Sequence, residues 1–80
     1  MPYSLGDRVL FGLLAVEDRE LRTLLSAMAR IESDPVGSCH AAAYDRQGRL
    51  VYAASIGRHW LYYWISPRGQ VHFVEMLADS

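Results

Sequence analysis

The sequence contains no lysine, and all eight of its basic residues are arginine. Against nine acidic residues they leave a net charge of −1 and an isoelectric point near 6.2. Nucleic-acid binders usually carry a basic excess, because phosphate neutralisation supplies most of their affinity; no such global excess exists here. The arginine bias, with abundant Ala and Leu, fits a GC-rich genome as readily as a chemical need. Cysteine occurs once, at Cys39, which excludes an internal disulfide and any cysteine-based metal motif. The N-terminus lacks the basic segment, apolar core and small-residue cleavage site of a signal peptide. The longest apolar run, Val9 to Val16, falls far short of a membrane span. There is no repeat, low-complexity stretch or linker. These absences predict a soluble, cytoplasmic, bacterial protein with no membrane partner, no metal and no cofactor.

What is present is apolar and aromatic. The chain of 80 residues is 51 % hydrophobic and 11 % aromatic, a composition that argues against disorder. One domain over 1–80 is expected. A chain of this size buries roughly 60–65 % of its unfolded surface, so it folds alone with little margin. Its apolar content exceeds what one small core hides, which favours self-association or a protein partner.

The elements follow from periodicity. Residues 8–14 read as a short strand, with a helical turn as the alternative, because a short apolar run fits either. From Glu17 onward, Leu21, Leu24, Leu25, Met28 and Ile31 recur at helical spacing, and Arg19, Arg22, Ser26 and Arg30 fill the opposite side. Glu17, Asp18 and Glu20 complement the dipole of the first turn. Ser33-Asp34-Pro35 ends this helix of about 17–32, because the residue before proline disfavours helical dihedrals. Residues 36–44 read as a loop with a short irregular stretch. Asp45-Arg46-Gln47-Gly48 has turn composition, and Arg49–Ile56 follows as a strand with Leu50, Tyr52, Ala54 and Ile56 on one face. Gly57-Arg58 connects tightly into a strand ending at Ile65. Ser66-Pro67-Arg68-Gly69 signals another hairpin. Gln70–Leu77 is the last strand, and Ala78-Asp79-Ser80 forms a tail. The expectation is an α+β fold of order β-α-β-β-β: one amphipathic helix packed on a small antiparallel sheet, with a meander over about 49–77.

The segment Gly57-Arg58-His59-Trp60-Leu61-Tyr62-Tyr63-Trp64-Ile65-Ser66 carries the functional question. Side chains of a strand alternate between faces, so Trp60, Tyr62 and Trp64 line one face and Leu61, Tyr63 and Ile65 the other. Both faces are apolar. With a helix over one of them, the Trp60/Tyr62/Trp64 face is either covered by another element or is a binding surface, since Trp and Tyr are enriched at interaction hot spots.

Other constellations are weaker. His40, His59 and His72 lack metal-ligand spacing and read as unrelated surface or edge residues, although His59 and His72 could approach across adjacent strands. Cys39-His40 invites a nucleophile–base pairing, but adjacent strand residues point apart and no orienting carboxylate is at hand. Arg46, Arg49, Arg58 and Arg68 cluster around the hairpins, as solvated surface or as phosphate contacts beside stacking aromatics.

Ala27-Met28-Ala29-Arg30-Ile31-Glu32-Ser33-Asp34-Pro35 resembles the helix end and Asp-Pro of the RelE/ParE toxin superfamily. Gly57 to Ile65 is similar to that family's strand after a glycine turn, with Tyr63 on its recurrent tyrosine, and Val71 to Leu77 resembles its closing strand. The resemblance covers about 16–77. It implies the fold and a toxin–antitoxin (addiction, plasmid-stabilisation) module with an antitoxin partner and a ribosome, RNA or gyrase target. The departures bear on activity. Trp60 stands at the family's strand arginine, Val51, Ala53 and Ser55 replace its basic open face, and Ala78-Asp79-Ser80 lacks its C-terminal basic or histidine residues. The helical portion leaves room for one long helix where the family has a pair.

Three readings result. The first is a toxin or toxin-derived protein acting through protein association at Trp60, Tyr62 and Trp64, without the usual ribonuclease residues. The second is a ribosome-dependent mRNA endoribonuclease with a relocated site of Arg49, Arg58, His59 and His72. It requires those four to converge on one face. The third is an interaction protein that forms a homodimer, or higher homo-oligomer, through the aromatic face.

Overall fold

The computed structural model describes residues 3–78. Its elements are β1 (Tyr3–Leu5), α1 (Asp7–Ala15), α2 (Asp18–Ser33), β2 (Ala41–Tyr44), β3 (Leu50–Ile56), β4 (His59–Ile65) and β5 (Val71–Ala78). The strands form one sheet in the order β1-β5-β4-β3-β2. Neighbours from β5 to β2 are antiparallel, and β1 alone runs parallel, beside β5. Both helices contribute to one core against a single face of the sheet. The fold is α+β, as the sequence pattern predicts, with a longer inventory: two helices instead of one and five strands instead of four.

The extra helix replaces the expected strand over 8–14. Val9 and Leu13, four residues apart, are buried, while Phe11 between them is 68 % exposed. That spacing is helical; a strand would place all three on one face. The exposed Leu10, Phe11 and Leu14 hide the period in the sequence. A missing side chain at Gly12 lets α1 approach Met76 of β5 closely. In α2 the buried residues are Leu24, Ala27, Met28 and Ile31, whereas Leu25 faces solvent.

Two strands form where none was expected, β1 at Tyr3–Leu5 and β2 in place of a loop. Ala41–Tyr44 is exposed at every position, so no alternation marks it. It forms because the Asp45 turn returns it onto β3. The Asp45 carboxylate accepts the backbone N–H groups of Gln47 and Arg49, each at 2.9 Å. At the next hairpin Gly57 adopts φ 59°, a positive value that a two-residue turn demands. Ala78, expected in a tail, closes β5, and Asp79 and Ser80 lie outside the described residues.

Leu61, Tyr63, Val71 and Phe73 form the sheet side of the core beneath both helices. Each such side chain contributes about 1.5–3 kcal/mol by leaving water. Val74 is an extra residue on β5, between Phe73 opposite Tyr63 and Glu75 opposite Tyr62. Such a bulge sharpens the local twist of the sheet.

Candidate functional site: the open face of the sheet

The face away from the helices carries Val51, Ala53 and Ser55 on β3, with Trp60, Tyr62 and Trp64 on β4. The register sets these residues side by side, Ala53 opposite Tyr62 and Ser55 opposite Trp60. Trp60, Tyr62 and Trp64 are each half-buried. The alternation read from the sequence is therefore present in the structure.

The three rings are not equivalent. Trp64 is occupied by its own neighbours. The His72 ring stacks on it from the β5 side at 4.5 Å and 18°, and the Arg49 guanidinium lies over it at 4.7 Å. His72 is in turn hydrogen-bonded through Nδ1 to the Ser4 hydroxyl. Arg49 donates from Nε to Asp45 at 3.1 Å. Two backbone N–H groups, Arg49's foremost, and the Arg49 side chain hold the Asp45 carboxyl below its ordinary range. A row from Ser4 to Asp45 thus crosses the sheet with Trp64 at its centre.

Trp60 and Tyr62 remain available. They wall a groove of about 460 Å³ whose floor is Ala41, Ala43, Val51 and Ala53. Small residues beside two large rings make a step, high along β4 and low toward the β2 edge. His40 meets Trp60 edge-on at 6.5 Å. Charge on this face is locally paired, with Arg8 bridging to Glu75 at 2.9 Å. The groove is apolar with a polar rim.

The four residues of the relocated ribonuclease arrangement do not meet. Arg49 and His72 sit on the open face, on either side of Trp64. His59 is on the helix side, buried, with Nε2 against Glu20 Oε2 at 2.7 Å and Nδ1 without a partner among the described residues. Arg58 lies in the β3–β4 turn, at the opposite end of β3 from Arg49. A strand of that length separates them by roughly 20 Å. No phosphate can touch all four.

Cys39 and His40 also diverge. The thiol donates to the Val36 carbonyl at 3.2 Å, and His40 Nδ1 accepts the Ser55 N–H at 3.0 Å. His40 thereby completes the junction of β2 with β3. Among the described residues no three His, Cys, Asp or Glu side chains are grouped to hold a metal ion, and no helix is long and apolar enough to cross a membrane. Sequence reading missed the groove floor at Ala41 and Ala43, because a run of alanines carries no strand signal. It also missed Ser4, whose role depends on the parallel pairing of β1 with β5.

The arrangement of two helices on one face of a five-stranded, mostly antiparallel sheet is a RelE-like fold. The chain is similar to a chain of the archaeal RelE–RelB complex from Pyrococcus horikoshii OT3, with a TM-score of 0.76 and 15 % identity, covering 100 % of this chain and 98 % of that one. No protein-family model and no curated protein matches the sequence.

Proposed function

We propose that this chain is a toxin, or a toxin-derived protein, of a toxin–antitoxin module and that it acts through protein association rather than by cutting RNA. The observation that carries this reading is a RelE-like backbone whose open face is aromatic and apolar at its centre. The similar chain belongs to a RelE–RelB complex, which supports an antitoxin protein as the partner here. Trp60 and Tyr62 form the contact ridge, and Trp64 stiffens it from within its Arg49–His72 stack. Desolvated Trp and Tyr side chains of this kind dominate binding energy at protein interfaces. RNA cleavage needs charge stabilisation and proton transfer at one phosphate. The dispersal of Arg49, Arg58, His59 and His72 weighs against it.

Inducible expression in a bacterial host, with and without the neighbouring reading frame, tests the module. Growth arrest relieved by the neighbour is the expected result, and unaffected growth overturns the toxin reading. A Trp60→Ser, Tyr62→Ser double variant should fold normally by circular dichroism yet lose at least about tenfold in affinity for the neighbour's product, a loss of 1.4 kcal/mol or more. Undiminished affinity would move the partner to another surface.

A further inference from the structure

We propose that the outer edge of β2 pairs with the same edge of a second copy of this chain, joining two sheets across a twofold axis at Ala43. This goes beyond the partner assigned to the aromatic ridge. The backbone sets the phase. Asp45 donates its N–H to the Arg49 carbonyl at 2.9 Å, so Asp45 and Ala43 turn their backbone groups toward β3. Ala42 and Tyr44, the alternate residues, turn theirs outward. β2 ends the strand order and is exposed along its whole length. Ala42 and Tyr44 therefore present a donor and an acceptor each on a strand with no outer neighbour among the described residues.

Sheet edges are ordinarily blunted by charge, proline, a bulge or brevity. Both edges are short, β1 at 3 residues and β2 at 4, so brevity does not separate them. Ala-Ala-Ala-Tyr carries no charge and no proline. It is an edge open to pairing.

Self-complementarity selects the second copy as the occupant. With Ala43 on the axis, Ala42 of each copy faces Tyr44 of the other, giving two pairs that each exchange two N–H···O bonds. Ala42 and Tyr44 lie on the helix-bearing face, opposite Tyr52 and Leu50 of β3. The Tyr44 ring, 74 % exposed, then covers the methyl group of the other copy's Ala42. On the open face Ala43 meets Ala43 at the close Cα spacing of about 4.5 Å that suits small side chains. Centring on Tyr44 would oppose two bulky rings and run Ala42 into the Asp45 turn. Centring on Ala42 would carry Tyr44 beyond the strand, beside His40. Only the Ala43 register keeps both outward residues paired within the strand. The contact is isologous, as a twofold dimer requires. An edge this short buries less than the ~800 Å² per partner of a lasting interface, so the dimer is reversible.

Cysteine cross-linking reads both the pairing and its register. In a Cys39→Ser background, single Ala42→Cys, Ala43→Cys, Tyr44→Cys and Arg68→Cys substitutions are oxidised mildly. Only the Ala43 position brings like residues within disulfide range, so it should cross-link at least about tenfold faster than the others. Ala42→Pro removes only an outward N–H, which an edge strand tolerates. It should leave the circular dichroism unchanged, abolish the concentration-dependent sedimentation shift and slow Ala43→Cys cross-linking to the Arg68→Cys rate. Should that variant unfold, Ala43→Lys, which opposes two like charges on the axis, must give the same loss. Equal rates at 43 and 68 overturn the proposal, and so does a maximum at 42 or 44. Cross-linking from 43 to a co-expressed neighbour protein instead of to itself gives the edge to another chain and overturns self-pairing.

Discussion

Tyr63 ties the end of α2 to the middle of β4. Its ring is fully buried between Tyr52 and Phe73, and its hydroxyl donates to the Pro35 carbonyl at 2.6 Å. Burial pushes the phenol's pKa up, which keeps the proton on the oxygen and the donor in place. Tyr63→Phe leaves that carbonyl without its partner and should cost about 1–3 kcal/mol, read from the urea midpoint. Glu20 is shifted in the opposite direction from Tyr63. Its hydrogen bond with His59, and then the charge of Arg58, lower its pKa below the ordinary 4.5. Folded Glu20 thus holds a proton less tightly than unfolded Glu20. The pair stabilises the fold above the unfolded pKa, and that contribution disappears as pH falls through the lower, folded value. In urea titrations from pH 7 downward, the stability gap between the parent and Glu20→Gln should narrow through the acidic limb. A gap independent of pH would remove the His59–Glu20 pair from the account. The helix-side position of His59 also explains why sequence reasoning could group it with His72. Alternation assigns residues to two faces of a strand, but it does not say which residues of a neighbouring strand share them.

At the level of elements, legibility tracked burial contrast. α2 could be read because its buried residues recur over several turns against a charged side. β3, β4 and β5 could be read because turn residues bracket apolar runs. α1 could not, since its outer side is as apolar as its inner side. β2 could not, because its existence depends on β3 and on one aspartate in a turn. The α1 assignment makes a prediction that separates helix from strand. Leu13→Ala should cost about 2–5 kcal/mol because it opens a cavity under the sheet. Phe11→Ser, at an exposed site, should stay within about 0.5 kcal/mol. A strand would bury Val9, Phe11 and Leu13 together, so comparable losses at 11 and 13 would refute the helical phase.

Across the whole molecule, the helices cover one face of the sheet and leave a second apolar surface that a small core cannot absorb. The sequence signalled this surplus through the paired apolar faces of β4. The groove beside it depended on tertiary neighbours, chiefly the alanines of β2. The character of that face decides how association should respond to salt. Neutralising several phosphates releases counterions, and a protein with 6–10 such contacts loses about 10³–10⁵ in affinity between 50 and 200 mM salt. Here Arg49 is engaged by Asp45 and Trp64, and Arg8 by Glu75, so the two arginines that flank the open face already have partners. An interface centred on Trp60 and Tyr62 rests on apolar burial, which screening leaves intact. The dissociation constant for the neighbouring frame's product should therefore change by less than about tenfold over that salt range, with single-stranded RNA failing to compete. A steep salt slope accompanied by RNA competition would return the open face to nucleic-acid recognition, with Arg49 and His72 as its first suspects.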